Sequence, residues 1–186
     1  MSSDTVATSP ASPADPASPT GSATSTAAAP HPPIYVVPPL RLAIDNISPA
    51  SSKAMKAMNA LDAAVGRSAL EPTLAELVRL RASQINGCAY CIDMHSSDAL
   101  ACGETERRIF GLPAWRETPF FTERERAALA LTESMTRLSD GAVSDEVYAA
   151  AAAQFSDNEL SDLIWAIAVI NTWNRLGAAA HPWPLD

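Results

Sequence analysis

From about residue 48 onward, apolar side chains recur every three or four positions, with polar residues between them. That period gives an α-helix one apolar face, whereas a half-buried strand alternates every second residue. Ser48-Pro49 reads as an N-cap and first helical residue, and Met55, Met58, Leu61 and Val65 follow at helical spacing up to Gly66. Pro72 opens a second helix through Leu74, Leu77, Val78 and Arg81 to about Ile85, where Asn86-Gly87 stops it. A third is expected from Cys88 to Cys102, with Gly103 in the C′ position. A short helical turn near 105–110 precedes a loop between Pro113 and Pro119. Thr122 with Glu125 forms a capping box for a helix of roughly 16 residues ending near Asp140-Gly141. Ser144 begins an alanine-rich helix ending near Phe155. Ser156 with Glu159 forms a second capping box, for a long last helix through Trp165, Ile170 and Trp173. No segment alternates as a strand does. The pattern predicts an all-α fold of helices paired in antiparallel hairpins.

The first part of the chain lacks this periodicity. Residues 1–37 are almost entirely Ser, Ala, Thr and Pro up to about residue 33, too poor in apolar surface to offset the entropy of ordering. They are expected to form a disordered tail ahead of a helical domain at 38–186. Within the tail, Ile34-Tyr35-Val36-Val37 is a candidate for docking on that domain as an extended segment. A domain of roughly 150 residues can hold a real core, and the chain is 47% hydrophobic. The net charge of −8, with basic residues scattered among acids, argues against nucleic-acid binding. No stretch approaches the ~18 uninterrupted apolar residues of a membrane span. The N-terminus lacks the basic and apolar regions of a secretory signal, and three cysteines do not make a secreted disulfide framework. A cytoplasmic location is expected.

The chemistry concentrates between residues 76 and 95. Glu76 is followed after eleven residues by Cys88, after two more by Cys91, and after three more by His95. On a helix the two thiols and the imidazole fall within about 60° of one another. The α-carbons of an i, i+3 pair lie roughly 5 Å apart, a separation a disulfide tolerates, so the pair can open and close with little backbone movement. Cys88 would occupy a first helical turn, where unpaired N–H groups favour thiolate. If the helices flanking Asn86-Gly87 fold back on each other, residue 76 stands opposite about residue 97, close to His95. Glu76, His95 and Cys91 then form a line of carboxylate, imidazole and thiol, the order expected where a base deprotonates a nucleophile. An imidazole of ordinary pKa near 6.5 suits that proton exchange. A salt bridge from Glu76 to Arg79 would leave the same trace in the sequence. Tyr90 reads equally as a hydrogen-bond donor near the site and as a packing aromatic. Position in the helix favours Cys88 as the more acidic thiol, whereas His95 favours Cys91. Cys102 lies about 16 Å along the helix from Cys91, beyond disulfide reach, and is assigned a structural role. The run Glu123–Arg126 reads as a solvated face. Asn171, Asn174 and Arg175 suggest hydrogen bonds at a helix junction or subunit contact.

The Glu–Cys–Cys–His spacing, with the stretches LVRLRASQINGCAYCIDMHSSDA, WRETPFFTERERAALALTE and INTWNRL, resembles the alkylhydroperoxidase D (AhpD)-like branch of the carboxymuconolactone decarboxylase family. The resemblance runs from about Pro38 to the C-terminus. It implies that Cys91 forms a sulfenic acid and Cys88 resolves it. It also implies a hydroperoxide substrate, an external thiol or dithiol reductant (a lipoyl group, a thioredoxin-like protein or a peroxiredoxin), and no haem, flavin or metal. It points to a homo-oligomer, trimeric or hexameric, as do the broad apolar surfaces expected on the helices from Pro72 and Ser156. One position departs: AhpD carries a histidine just before the second cysteine, where this chain has Tyr90, which implies a shorter proton relay. Three other readings compete. Cys88, Cys91, His95 and Glu76 are zinc-competent ligands, although no second C-x-x-C completes such a site. Lactone decarboxylation, which names the wider family, does not depend on the cysteine pair. The last alternative is a non-enzymatic scaffold.

Overall fold

The computed structural model describes residues 41–42 and 49–181. The expectations for the tail at 1–37, the Ile34–Val37 run and the Ser48 cap lie outside these residues. Among the described residues there are seven α-helices, one 3₁₀ segment and no strand. The helices are α1 (Pro49–Val65), α2 (Pro72–Asn86), α3 (Ala89–Ala101), α4 (Glu106–Gly111), α5 (Glu123–Thr136), α6 (Asp145–Ala152) and α7 (Asp157–Ala180).

Helix α2 is the axis of the fold. Leu74 and Val78, one turn apart, face a cluster built with Leu131 of α5 and Leu163 and Ile167 of α7. Leu77 and Leu80 point the other way, into a second cluster with Ala99 of α3, Ile109 of α4 and Leu129 of α5. The helix is therefore buried around most of its circumference, and its polar residues Glu76, Arg81 and Ser83 are buried with it. Polar groups in such a place need partners, and each has one. This also corrects an expectation: the apolar surface of α2 is covered within the chain. The large apolar side chains left exposed are elsewhere, among them Phe110, Leu138, Tyr148 and Trp165.

The caps fall where the sequence places them. Thr122 with Glu125 and Ser156 with Glu159 both close as capping boxes. Three boundaries differ. The expected loop from Pro113 is largely a 3₁₀ segment, Leu112–Glu117, which buries Leu112 and Trp115 in the second cluster. Helix α5 stops at Thr136, short of Asp140, because that threonine is its last buried position and Leu138 beyond it is exposed. Helix α6 ends at Ala152, and the following turn delivers Phe155 to the core.

The run Glu123–Arg126 is not simply solvated. Arg124 pairs with Glu71 and Glu159 and covers the Phe155 ring, while Glu125 pairs with Arg108. Glu133, one turn from the end of α5, is the other charged tie. Its carboxylate accepts from Arg81 Nε at 2.8 Å, from Trp115 Nε1 at 2.9 Å and from Arg116. Burial alone would push this carboxyl up, but those hydrogen bonds and the Arg81 charge hold it below its ordinary value of 4.5. A carboxyl depressed in the folded state adds stability that is complete above the unfolded value and is lost as pH falls through the folded one. Urea midpoints measured from pH 7 to pH 3 are therefore expected to fall more steeply for wild type than for Glu133→Gln. Removing the carboxylate strands the buried Arg81, at a cost of about 3 kcal/mol at pH 7. Parallel pH profiles would show that Glu133 carries no such linkage.

Candidate active site: a dithiol at a helix junction

The site is built on the turn between α2 and α3. Gly87 takes the left-handed conformation (φ 66°, ψ 31°) that glycine adopts without steric penalty, and it ends α2. Its N–H donates to the Gln84 carbonyl at 3.4 Å, and the Cys88 N–H donates to the Ser83 carbonyl at 3.1 Å. That bonding is a Schellman motif. Cys88 is thus the last residue of one helix stop and the N-cap of the next helix. Its extended backbone (φ −83°, ψ 96°) corrects the expectation of a first-turn position. The reason is the abrupt reversal at Gly87, which leaves no room for a further helical residue. The Cys88 sulfur caps α3 by accepting from the Cys91 N–H at 3.4 Å. An N-cap sulfur receives the same electrostatic support for thiolate as a first-turn one.

Cys88 and Cys91 are joined as a disulfide with their α-carbons 5.3 Å apart, and both are buried. Cys102 is a free, exposed thiol at the end of α3, which corrects its assignment to a structural role. One turn beyond Cys91, the buried His95 meets Glu76 across the helix pair, with Nδ1 2.8 Å from Oε2. The other oxygen of Glu76 accepts from Arg79. The two readings of Glu76 are therefore both met in one carboxylate. Burial would raise this carboxyl, but the His95 hydrogen bond and the Arg79 charge prevail and lower it. An ionised Glu76 can only accept. His95 therefore carries its proton on Nδ1, and in the neutral ring Nε2 is left as the base.

A cavity of about 840 Å³ opens on this group. Cys91, His95, Glu76, Arg79 and the half-buried Tyr90 line it, so all the predicted site residues except Cys88 face one space. The opposite wall is apolar, with Met55 of α1 and Ile170, Trp173 and Leu176 of α7.

Several lining residues escaped the sequence reading, Asp62 of α1 among them, and two stand next to the motif. Asp98 lies three residues past His95 on the same face of α3, and that spacing was the available signal. Donor atoms of Glu76, His95 and Asp98 lie within 4.8 Å of one another, but Glu76 already serves Arg79 and His95. The second is Gly177. A methyl group there would lie 2.9 Å from Cys88 Sγ and 3.6 Å from Cys91 Sγ, so α7 rests directly on the disulfide. Its signal was a glycine inside a helix, which costs about 1 kcal/mol relative to alanine and calls for a packing reason. The register of α7 is held by the asparagines. Asn86 Nδ2 donates to Asn171 Oδ1 at 3.0 Å and to Asn174 Oδ1 at 2.9 Å, and Asn174 Nδ2 donates to Ser83 Oγ at 2.9 Å. The helix-junction reading of these residues is therefore the one realised within the chain, and Gly177 follows Asn174 by one turn.

An all-α bundle with a cysteine pair at the mouth of its central hairpin defines the class of this protein. The model of the carboxymuconolactone decarboxylase family matches residues 50–134. The uncharacterised protein YdfG of Bacillus subtilis is 42% identical over 125 residues, covering 67% of this chain and 85% of that protein. A crystal structure from Agrobacterium tumefaciens, of a protein of unknown function proposed to be the antioxidant defence protein AhpD, superposes with a TM-score of 0.74 at 37% identity. That match covers 80% of this chain and all of the other. The debrominase Bmp8 shares the fold alone, at 20% identity and a TM-score of 0.66, over 73% of each chain. The chain belongs to the carboxymuconolactone decarboxylase family, on its AhpD-like side.

Proposed function

We propose that this protein is a thiol-dependent hydroperoxide reductase that cycles Cys88 and Cys91 between dithiol and disulfide. The observation that carries the reading is that Cys91, beside the His95–Glu76 pair, lines the cavity whereas Cys88 does not. This favours Cys91 as the thiol that meets substrate and Cys88 as the one that resolves. In the reduced protein, His95 Nε2 takes the Cys91 proton. The thiolate attacks the peroxide, a sulfur–oxygen bond forms as the O–O bond breaks, and the leaving alkoxide recovers a proton to become an alcohol. Cys88 then attacks the sulfenic acid, forming the disulfide and releasing water. An external thiol or dithiol restores the pair and is itself oxidised. Tyr90 lines the cavity, which supports its assignment as a hydrogen-bond donor to the peroxide.

The proposal includes an antioxidant role in the cytoplasm and a homo-oligomer. No helix among the described residues is long and apolar enough to cross a membrane. Exposed Phe110, Tyr148 and Trp165 offer apolar surface for association between copies.

The test is consumption of an organic hydroperoxide by the pre-reduced protein in the presence of a dithiol. Wild type is expected to turn over, Cys91→Ser to show no consumption above background, and Cys88→Ser to stop after one equivalent with a sulfenic acid that dimedone traps. Consumption by Cys91→Ser at the wild-type rate would refute the assignment.

A further inference from the structure

We propose that the cavity selects by charge, admitting neutral or cationic molecules to Cys91 and turning away anionic ones, with Asp62 and Asp98 setting the selection. The inference rests on Cys91 being the reactive thiol. Three carboxylates line the cavity, one each from α1, α2 and α3, against the single guanidinium of Arg79. Glu76 is matched by Arg79 on one oxygen and held by His95 on the other. Asp62 and Asp98 remain as surplus negative charge. Asp98 projects from the same face of α3 as Cys91, two turns or about 10 Å further along the axis. That distance is comparable to the Debye length near 0.1 M salt, so an anion at the sulfur feels it. The apolar wall on α7 limits solvent on the other side of the space, which focuses the field into the cavity. The net charge of −8 on the whole chain acts in the same direction during approach.

The consequence for substrates is specific. A hydroperoxide carrying a carboxylate is disfavoured against its neutral ester, and a neutral dithiol is a better reductant than an acidic one. A decarboxylase substrate must bear a carboxylate, so the same charge disfavours that chemistry here.

The test uses the full chain, fully reduced, in a Cys102→Ser background that removes the exposed thiol. Alkylation at Cys91 is followed by peptide mass spectrometry with iodoacetamide, which is neutral, and iodoacetate, which is anionic. A small neutral thiol supplies the intrinsic ratio of the two reagents. At low ionic strength the preference for iodoacetamide at Cys91 is expected to exceed that ratio by roughly three- to tenfold, and to shrink as salt is added. Asp62→Asn with Asp98→Asn is expected to bring it most of the way back. A preference equal to that of the small thiol, or one unchanged in the double variant, overturns the proposal. A second arm compares a fatty-acid hydroperoxide with its methyl ester, the ester being the faster substrate. If neither is consumed, the reductase reading fails, while the alkylation ratio still decides the question of charge.

Discussion

Replacing His95 with alanine is expected to slow peroxide consumption at neutral pH by roughly 10²- to 10⁴-fold, the usual contribution of a positioned acid–base group. The mechanism is specific enough to predict how that loss varies with pH. His95 lies one turn from Cys91, and the lowered Glu76 carboxyl fixes the ring proton on Nδ1, leaving Nε2 to accept. The wild-type Cys91 thiol should then ionise well below the free value of ~8.5, and the variant thiol closer to it. As pH rises toward 9 solvent ionises the thiol unaided, so the difference between the two proteins should narrow. Glu76→Gln should give a milder form of the same profile. It keeps a hydrogen-bonding group beside the ring but loses the charge that stabilises imidazolium. It also leaves Arg79 without its carboxylate partner. Rates of thiol alkylation and peroxide consumption, followed against pH for all three proteins, decide the matter. An unchanged thiol ionisation in His95→Ala would take the histidine out of the mechanism and leave the N-terminus of α3 and Tyr90 to account for activation.

Gly177→Ala is expected to destabilise the oxidised protein by about 1–3 kcal/mol, the range for forcing an extra methyl into a packed site. The added carbon would sit 2.9 Å from Cys88 Sγ, closer than such atoms approach, so the sulfur or α7 must move. Neither moves freely while the disulfide is closed. The sulfur is tied to Cys91, and α7 is pinned by Asn171 and Asn174. After reduction the Cys88 side chain can turn away, and the penalty should shrink. Urea midpoints of the oxidised and reduced forms, each against wild type, measure both quantities. A variant as stable as wild type in the oxidised state would show that α7 yields easily and that the glycine carries no packing role.

Most of the helical frame was legible in the residues because its signals are local. A capping box needs only Thr122 and Glu125, or Ser156 and Glu159, and a helix stop needs only Gly87. The hairpin argument, resting on chain geometry around that stop, brought Glu76 to His95 across a sequence separation of nineteen. The motif itself, read from spacing, supplied three of the cavity's lining residues, Glu76, Cys91 and His95.

What local signals could not settle was anything that depends on which faces meet. Whether Glu76 served His95 or Arg79 had no answer in spacing, because a carboxylate has two oxygens and the fold gives one to each. Which of Cys88 and Cys91 lines a cavity could not be read from dipole or imidazole, and the packed helices leave Cys91 on it and Cys88 off it. The charged run at Glu123–Arg126 looked solvated because its partners, Glu71, Arg108 and Glu159, come from other elements. Gly177 lies more than eighty residues from the cysteines, and no pattern within α7 announces that its bare backbone rests on their sulfurs. Helix periods and caps are properties of a few adjacent residues, whereas a cavity and its charge exist only where distant segments are packed together.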